Sequence, residues 1–327
     1  MNERVLVTVA TGFIGSHVAA AFAAAGWRVR VTVRASSDLK WLEGLDVETV
    51  EADLATPADL SHAVSDVQVV VHSAGLTRAK RPEELQWVNV EATSRLARAS
   101  AAAGVRRFVY LSSLAARGPD PVRTPKGFLP GPTPASDYGR SKRAGEEALE
   151  PFADAMSTVV LRLAGVYGPR DSDLLPMFRM ADRGWLAIPA GDMRVQPIHV
   201  SDVARGTMKA VEAQPVAVPL PLAEENSYSW SEVGDALGAA VQRRLRVMRA
   251  PAGLYTAAGA LAETAARLRD RRPALDRRKA RDLAVHSYTC DIEPTVKALG
   301  WKPEIDMPEG LRQTATWYRE IGWLPPK

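Results

Sequence analysis

Residues 5–34, VLVTVATGFIGSHVAAAFAAAGWRVRVTVR, constrain the fold more strongly than any other stretch of the chain. Two runs rich in β-branched residues, 5–9 and 29–33, enclose a glycine-containing turn and an alanine-rich segment of helical length, 16–25. A strand, a helix and a strand joined this closely form a right-handed crossover between parallel strands. Parallel strands are buried on both faces, so this opening predicts a sheet covered by helices on either side.

The same alternation continues through the first half of the chain. Further apolar runs occupy positions 47–50, 67–72, 108–111 and 158–163, and a late run spans 216–222. Segments of helical length, such as 92–103, separate them. Strands that alternate with helices predict an α/β fold built on a doubly wound parallel Rossmann sheet.

The alternation ends after Pro169, where mixed helices and short linkers take over. We therefore predict a Rossmann domain over 1–171, to which residues 196–223 return. Residues 172–195 and 224–327 are predicted to form a smaller, mostly helical substrate-binding region, because ligands of such sheets bind beyond the carboxyl ends of the strands. The proline-rich segment 118–136 is predicted to be a long functional loop, since its prolines forbid a regular element.

The turn after the first strand carries the first sign of a ligand. Gly12 and Gly15 have the spacing of the second and third glycines of a dinucleotide-binding turn, and the helix that follows offers its N–H groups to a pyrophosphate. Ser16 is a candidate cap for that turn. Val9 occupies the place of the first glycine; it is tolerated if its φ is negative and strained if its φ is positive. We expect cofactor binding to survive.

The end of the second strand bears on the choice of cofactor. NAD-binding sheets usually place a carboxylate there to hold the ribose hydroxyls, whereas this strand ends with Arg34. A guanidinium pairs with a 2′-phosphate, and Ser36 and Ser37 follow it as hydrogen-bond donors. The sequence thus favours NADP, with NAD as the second choice and an exposed arginine without cofactor contact as the alternative interpretation.

A second group of residues has the chemistry of proton transfer. Ser112 and Ser113 end a predicted strand, and Tyr138 and Lys142 follow at a spacing that puts both on one face of a helix. A phenol is a poor acid or base at neutral pH unless a neighbouring cation stabilises its phenolate. A serine hydroxyl beside it can polarise a carbonyl. The combination is much more specific than the Tyr–Lys pair alone.

These motifs resemble those of extended short-chain dehydrogenases/reductases, the broad group of epimerases and dehydratases that also includes 3β-hydroxysteroid dehydrogenase-like and dihydroflavonol reductase-like enzymes. The resemblance covers nearly the whole chain. It rests on the stretches TVATGFIG, EADLAT, VVHSAG, VNVEAT, YLSS, YGRSK, LRLAGVYGPRD, PIHVSDVARG and LGWKPEIDMPEGLRQTATWYREIGWL. Together they are specific for the superfamily and much less specific for a reaction.

The resemblance implies a role for each matching residue. Ser113, with Ser112 as the fallback, polarises a carbonyl; Tyr138 transfers the proton; Lys142 holds the nicotinamide ribose and tunes Tyr138. The residues implied to face the cofactor are Gly12, Phe13, Ile14 and Gly15 at the pyrophosphate, Arg34 at the ribose, Asp53 and Leu54 at the adenine, Ala74 and Gly75 with Asn89 beneath them, and Gly165 and Val166 at the carboxamide. Asp53 as a turn residue and Asn89 as a polar residue inside a helix are the alternatives.

Three departures from the sequence patterns of the group narrow the range of reactions that this chain could catalyse. Dehydratases of the group follow the catalytic hydroxyl residue with an Asp–Glu pair, and here Leu114 and Ala115 follow Ser113. Nucleotide-sugar epimerases commonly have an arginine where this chain has Val195, with Arg194 one residue away. The tail before LGW also lacks a clear second arginine to bind the phosphates, although DRRKAR is rich in candidates. The stretch VRVTVRASSD resembles dihydroflavonol reductases, and residues 254–268 suggest a pocket with an apolar wall.

We therefore predict an NADP(H)-dependent oxidoreductase that interconverts a ketone and a secondary alcohol on a small, non-nucleotide substrate. One alternative is a nucleotide-sugar epimerase that holds its cofactor tightly. The other is a cofactor-binding relative without turnover, which only Val9 favours. The two helical stretches 83–100 and 138–152 correspond to those that form dimers in the superfamily, so a homodimer is implied.

Composition excludes other classes. The formal net charge is only +4, and the basic segment 269–281 is interpreted as a solvated helix face, so neither a nucleic-acid nor a membrane partner is predicted. Cys290 is the single cysteine, and no signal peptide is visible; a cytoplasmic protein is expected. His72 is expected to pack within a strand. His199 has no partner at ligand spacing, so we predict no metal site.

Overall fold

The computed structural model describes residues 3–56, 59–77, 79, 81–120, 133–251, 253–254, 256–257, 259–260 and 287–327. Its centre is a seven-stranded sheet in which all neighbouring strands are parallel. With strands numbered in chain order, this sheet contains β1 (Arg4–Val7), β2 (Arg28–Val33), β3 (Val47–Glu51), β4 (Val69–His72), β5 (Arg107–Ser113), β6 (Ser157–Leu163) and β11 (Leu220–Leu222). The spatial order is β11-β6-β5-β4-β1-β2-β3, so the winding direction reverses between β1 and β4. The predicted doubly wound sheet is confirmed.

Some of the helices cover both faces of this sheet, and the others build the region beside it. In chain order they are α1 (Phe13–Ala24), α2 (Ser61–Val64), α3 (Pro82–Gln86), α4 (Ala92–Ala102), α5 (Asp137–Glu147), α6 (Leu175–Asp182), α7 (Val200–Glu212), α8 (Trp230–Ala240), α9 (Glu293–Leu299) and α10 (Met307–Glu320). On one face Phe22 of α1 and Val203 of α7 pack against the central strands. On the other face Leu96 of α4 packs against Phe108 and its neighbours. Burial of such side chains on both faces is what a parallel sheet requires.

Short strands lie outside the central sheet. They are β7 (Gly165–Tyr167), β8 (Trp185–Pro189), β9 (Arg194–Val195), β10 (Pro197–His199), β12 (Tyr228–Ser229) and β13 (Arg246–Ala250), and they pair as β7 with β10, β8 with β13 and β9 with β12. A separate apolar core, which includes Phe178, Leu237 and Tyr318, joins α6, α8 and α10. The predicted division into a cofactor domain and a substrate region stays a prediction.

The late strand is shorter than its sequence suggests. It begins at Leu220 rather than at 216, since Pro219 cannot donate to a strand partner. Pro221 is accepted within it because this strand is the edge of the sheet, paired only with β6. Most of the predicted proline-rich loop (121–132) and of the apolar and basic segments (261–286) lies outside the described residues. No helix in the described part of the chain is long and apolar enough to cross a membrane.

Candidate active site

The glycine turn holds a valine in a glycine conformation. Val9 has a φ of +53°, in the left-handed region that β-branched residues avoid. Hydrogen bonds fix it there: its N–H donates to Thr32 Oγ1 at 3.1 Å, and its carbonyl accepts from Gly12 N at 3.0 Å. Such a conformation costs of order 1–3 kcal/mol. Of the two alternatives that the sequence left open for Val9, a negative or a positive φ, the structure shows the positive one.

The N-terminus of α1 fits a phosphate group. Gly12 precedes the helix and contributes no capping side chain, and the first turn holds no acidic residue. A Cβ on Gly15 would lie 2.5 Å from the Val9 carbonyl oxygen and 2.8 Å from Ser73 Oγ, so only glycine allows this close turn. Ser16 does not cap the turn, because its hydroxyl donates to the Phe13 carbonyl at 2.9 Å. The N–H groups of the first turn thus remain for an anion.

Thr8, which the motif comparison passed over, shapes the adjoining strand end. Its hydroxyl oxygen accepts from the backbone N–H groups of Ser73 at 3.1 Å and Ala74 at 3.2 Å, and it lies 3.0 Å from Nδ1 of His72. Nε2 of His72 lies 3.0 Å from Thr93 Oγ1. Burial lowers the pKa of His72 to about 3, so this histidine is a neutral packed residue, as expected. These bonds hold the segment that carries Ala74 and Gly75.

Asn89 joins that segment to the next helix. It lies in a π-helical turn, Trp87–Glu91, and is fully buried. Its Nδ2 donates to the Leu76 carbonyl at 3.0 Å and to Ser141 Oγ at 2.8 Å, and its Oδ1 accepts from Leu76 N at 2.7 Å. The side chain therefore fixes α5 against the end of β4, beneath the residues implied to line the cofactor.

Ser113 and Tyr138 meet at the carboxyl end of β5. Ser113 is the last residue of that strand and accepts from Ala115 N at 3.2 Å. Tyr138 lies in the first turn of α5, which Ser136 caps through Gly139 N at 3.0 Å. Burial raises the pKa of Tyr138, while its hydrogen bond with Ser113 acts in the opposite direction. Two hydroxyl groups are thus paired at the position where a carbonyl oxygen can be bound.

Lys142 extends into the same place from the next turn of α5. It is 2% exposed, its Nζ donates to the Leu111 carbonyl at 2.8 Å, and the same atom lies 4.1 Å from the centre of the Tyr110 ring. A Cβ on Gly75 would lie 3.4 Å from Nζ, so the ammonium group also faces the cofactor segment. Burial lowers the pKa of Lys142 to about 7, and the nearby Glu146 carboxylate raises it.

A buried ion pair supports this helix from behind. Arg162 of β6 donates to both carboxylate oxygens of Glu146, at 3.0 and 2.6 Å. Ser112 donates to the same carboxylate at 2.5 Å. The Ser112 hydroxyl is therefore engaged on the far side of the strand, which leaves Ser113 as the serine beside Tyr138. The sequence offered one signal for this cluster, since Glu146 follows Lys142 by one helical turn.

The other predicted cofactor residues lie at strand ends. Arg34 is exposed at the end of β2, and its side chain makes no hydrogen bond or ion pair with the described residues; its N–H donates to Ser37 Oγ at 2.9 Å. Asp53 accepts from Ala55 N at 2.9 Å and so shapes a turn, and Leu54 is buried. A Cβ on Gly165 of β7, where Val166 follows it, would meet open space.

His199 and Arg194, which were considered for a functional role from the sequence, both make contacts within the fold. His199 is buried at the start of α7, accepts from Ser201 N at 3.4 Å, and has its pKa lowered to about 4 by burial. Arg194 donates to Ser227 Oγ at 2.9 Å and lies 3.7 Å from Glu232. Among the described residues, no cluster of three or more potential ligands is arranged to hold a metal ion.

A buried group of hydrogen-bonded side chains, called the anchor here, follows the strand that ends at Ser113. Arg117 and Asp120, both almost fully buried, form an ion pair just after the Ser113 strand. Asp120 also accepts from Thr289 Oγ1 at 2.8 Å, and its N–H donates to the Ser287 carbonyl at 2.9 Å. Asp120, which directly precedes residues 121–132, is therefore bonded to Ser287 and Thr289, which closely follow residues 261–286.

Comparisons with known proteins agree with this geometry. A sequence model of the NAD dependent epimerase/dehydratase family matches residues 5–218. Ceramide reductase from Caulobacter vibrioides is 34% identical over 324 residues, which cover 98% of this chain and 96% of the reductase. Sterol-4-alpha-carboxylate 3-dehydrogenase, decarboxylating, from Saccharomyces cerevisiae is 25% identical over 97% of this chain and 98% of that protein.

Among solved structures, UDP-glucose 4-epimerase from Thermotoga maritima matches with a TM-score of 0.80 at 23% identity, over 97% of this chain and 99% of that chain. At that identity the likeness shows a shared fold. The family model and the reductase, which both cover most of the sequence, show more. The chain belongs to the NAD-dependent epimerase/dehydratase family and is an enzyme of the extended short-chain dehydrogenase/reductase type.

Proposed function

We propose that this enzyme interconverts a ketone and a secondary alcohol on a non-nucleotide substrate, with NADP(H) as its preferred cofactor. The observation that supports the proposal is the hydrogen bond between Ser113 and Tyr138 at the carboxyl end of β5, with the buried Lys142 one helical turn further along α5. That end lies near the reversal of the sheet winding between β1 and β4, where such folds bind their ligands.

Each of the three side chains has a distinct task. The nicotinamide, when bound, supplies or accepts the hydride at the substrate carbon. Ser113 donates a hydrogen bond to the substrate oxygen, and Tyr138 gives its hydroxyl proton to that oxygen or removes one from it. Lys142, as a cation beside them, stabilises the phenolate form of Tyr138. Gly75 leaves room for the ribose beside Lys142 Nζ.

The surroundings of Ser113 favour simple carbonyl chemistry. Leu114 and Ala115 follow it, so no acid–base pair for the elimination of water is present next to it. Arg194 donates a hydrogen bond to Ser227 and lies near the Glu232 carboxylate. Its guanidinium is therefore poorly placed to bind a diphosphate. The similarity to an enzyme named ceramide reductase makes a long-chain amide that carries a ketone the first substrate to test.

A nucleotide-sugar epimerase is the second candidate, and one observation favours it. A cavity of about 410 Å³ is lined by Arg249 and Trp230, a cation and a ring that suit an anionic, ring-containing ligand, beside the already engaged Arg194. An epimerase of this kind would be purified with its cofactor bound, because the cofactor is regenerated in each turnover. The absorbance and fluorescence of the purified enzyme therefore separate the two candidates.

Tyr138→Phe tests the proposed function directly. We expect the variant to bind NADPH like the unaltered enzyme and to lose about 10²–10⁴-fold in kcat, because only the transferred proton is removed. The measurement is NADPH consumption with a set of long-chain and cyclic ketones, next to a fluorescence titration of NADPH. A non-catalytic relative would show no turnover before the substitution and no change after it.

We also infer a cytoplasmic homodimer that buries α4 and α5. Trp87, which precedes α4, is 37% exposed for so large an apolar side chain. Sedimentation equilibrium of the enzyme and of Trp87→Glu tests this inference; we expect the dimer to dissociate in the variant. A monomer in both cases would contradict it.

A further inference from the structure

Strand β13 has an unusual surface. All four residues from Arg246 to Arg249 are exposed, although they alternate between the two faces of the strand. Within the described residues β13 pairs only with β8. The stretch 243–249, RRLRVMR, contains four arginines, and none of them forms an ion pair with a described carboxylate. This edge is therefore a concentrated positive surface.

Apolar side chains lie among these arginines. Trp185 is 42% exposed, Val247 41%, Met248 50% and Leu254 63%. Trp185 is the register partner of Arg246, whose guanidinium lies 5.3 Å from the centre of its ring. Leu254 follows the strand closely, with its N–H bonded to the Pro251 carbonyl. We call Trp185, residues 243–249 and Leu254 the basic–apolar patch.

The charge of the sequence is concentrated in the same region. Residues 243–286 hold 12 of the 42 basic residues and 4 of the 38 acidic ones, a net charge of +8, whereas the rest of the chain has a net charge of −4. The small overall charge conceals this asymmetry, which is why composition alone pointed away from a membrane. The four arginines of 243–249, which the structure describes, supply a local positive field that attracts an anionic surface before contact.

We propose that the basic–apolar patch docks the enzyme on an anionic lipid bilayer. Arginines near such a surface are attracted to its headgroups, and exposed tryptophan, methionine and leucine side chains enter the boundary between headgroups and acyl chains. Nucleic acid is the other polyanion to consider. The ring that the patch contains, Trp185, is already covered by the Arg246 guanidinium, and Val247, Met248 and Leu254 offer neither hydrogen bonds nor rings for bases. The proposal goes beyond the proposed reaction and does not depend on it.

Vesicle flotation with the whole protein tests the proposal. We expect binding to vesicles of phosphatidylcholine with phosphatidylglycerol, no binding to phosphatidylcholine alone, and release by added salt. The variant Arg244→Gln/Arg246→Gln should bind at least about tenfold more weakly, because each arginine contributes about fivefold at such a surface. Met248→Ser/Leu254→Ser should also bind several-fold more weakly, whereas a purely electrostatic contact would not respond to it.

Arg28→Gln/Lys209→Gln is the matched control, since both of these cations are exposed and lie outside the patch and outside α4 and α5. It removes the same charge and should bind like the unaltered protein. Equal loss in the control and in Arg244→Gln/Arg246→Gln, or no binding to anionic vesicles by the unaltered protein, would overturn the proposal. So would binding to a duplex oligonucleotide that depends on the arginines but not on Met248 and Leu254. Circular dichroism of each variant verifies folding, and turnover is not needed.

Discussion

At the scale of single residues, Val9 illustrates what a sequence leaves open. The glycine spacing around it predicted the turn, but φ at this position is set by hydrogen bonds to Thr32 and Gly12 that are formed only in the folded turn. Thr8 was missed for a similar reason, since its partners Ser73 and Ala74 are distant in the sequence. Local pattern predicted where the turn lies; it could not predict which backbone conformation its residues adopt.

Val9→Gly should stabilise the protein and strengthen cofactor binding. Relief of the left-handed strain stabilises the fold by about 1–3 kcal/mol. The greater freedom of glycine in the unfolded chain opposes this by about 0.5–1 kcal/mol. We expect a net gain of about 1 kcal/mol in the free energy of unfolding and a several-fold lower Kd for NADPH. Urea unfolding and fluorescence titration measure these quantities.

Val9→Ala is the companion variant. It removes the bulk of the side chain but keeps a Cβ in the left-handed region. Recovery of affinity with alanine would assign the effect to crowding, whereas recovery with glycine alone assigns it to the backbone. A glycine variant no more stable than the unaltered protein would contradict the strain argument.

Arg34 is expected to select the cofactor. Arg34→Gln should raise the Kd of NADPH about 10- to 100-fold, because hydrogen bonds to a charged phosphate contribute about 1.5–3 kcal/mol, and should leave the Kd of NADH nearly unchanged. Titration of both cofactors into both proteins gives the ratio. A parallel loss of NADH affinity would mean that Arg34 supports the loop rather than the 2′-phosphate.

At the scale of elements, the strands of the central sheet were predictable and the strands outside it were not. Strands β1–β6 carry β-branched runs with clear limits, so their positions followed from the sequence. β9 and β12 have two residues each, too few for any periodicity. The Glu146–Arg162 pair likewise joins α5 to β6, and only the packing of those elements brings the two side chains together.

Glu146→Gln should alter the pH dependence of catalysis. Loss of this carboxylate lowers the pKa of Lys142 below its value of about 7 and leaves Arg162 buried without its partner. We expect a narrower profile of kcat/KM against pH, with the limb due to Lys142 deprotonation moved to lower pH. Stability should fall by about 3–5 kcal/mol, as for other broken buried pairs.

Glu146→Gln/Arg162→Met separates the two effects, because it removes both charges. Much of the lost stability should return in the double variant, while the pH profile stays different from that of the unaltered enzyme. If the profile of kcat/KM against pH is the same in Glu146→Gln as in the unaltered enzyme, the Glu146–Arg162 ion pair has only a structural role.

At the scale of the whole molecule, stability should depend on pH through several buried groups with opposed shifts. Burial lowers the pKa of His17 and His199 to about 4 and that of His72 to about 3, so protonation in the unfolded chain destabilises the fold as pH falls from 6.5. Burial raises the pKa of Glu224 to about 7 from 4.5, and its stabilisation is lost as pH rises through that window.

The histidines outnumber the glutamate, so we expect the free energy of unfolding to increase between pH 4 and 6.5. The increase should continue more gently through pH 7, because Lys142, whose pKa burial lowers to about 7, binds more protons in the unfolded chain and offsets Glu224 there. Glu224→Gln should steepen the rise, because the opposing contribution is removed. Urea unfolding across this pH range measures both curves. A shallower rise in the variant would contradict the sign assigned to Glu224.

The anchor formed by Arg117, Asp120 and Thr289 has an evolutionary consequence. It bonds Asp120, where residues 121–132 begin, to Ser287 and Thr289, where residues 261–286 end, a few residues along the chain from Ser113. Segments that begin or end at a fixed, buried clasp can be lengthened, shortened or replaced in descendants without moving the groups that perform the reaction. The preference for one substrate over another can thus diverge between lineages while the underlying chemistry is inherited intact.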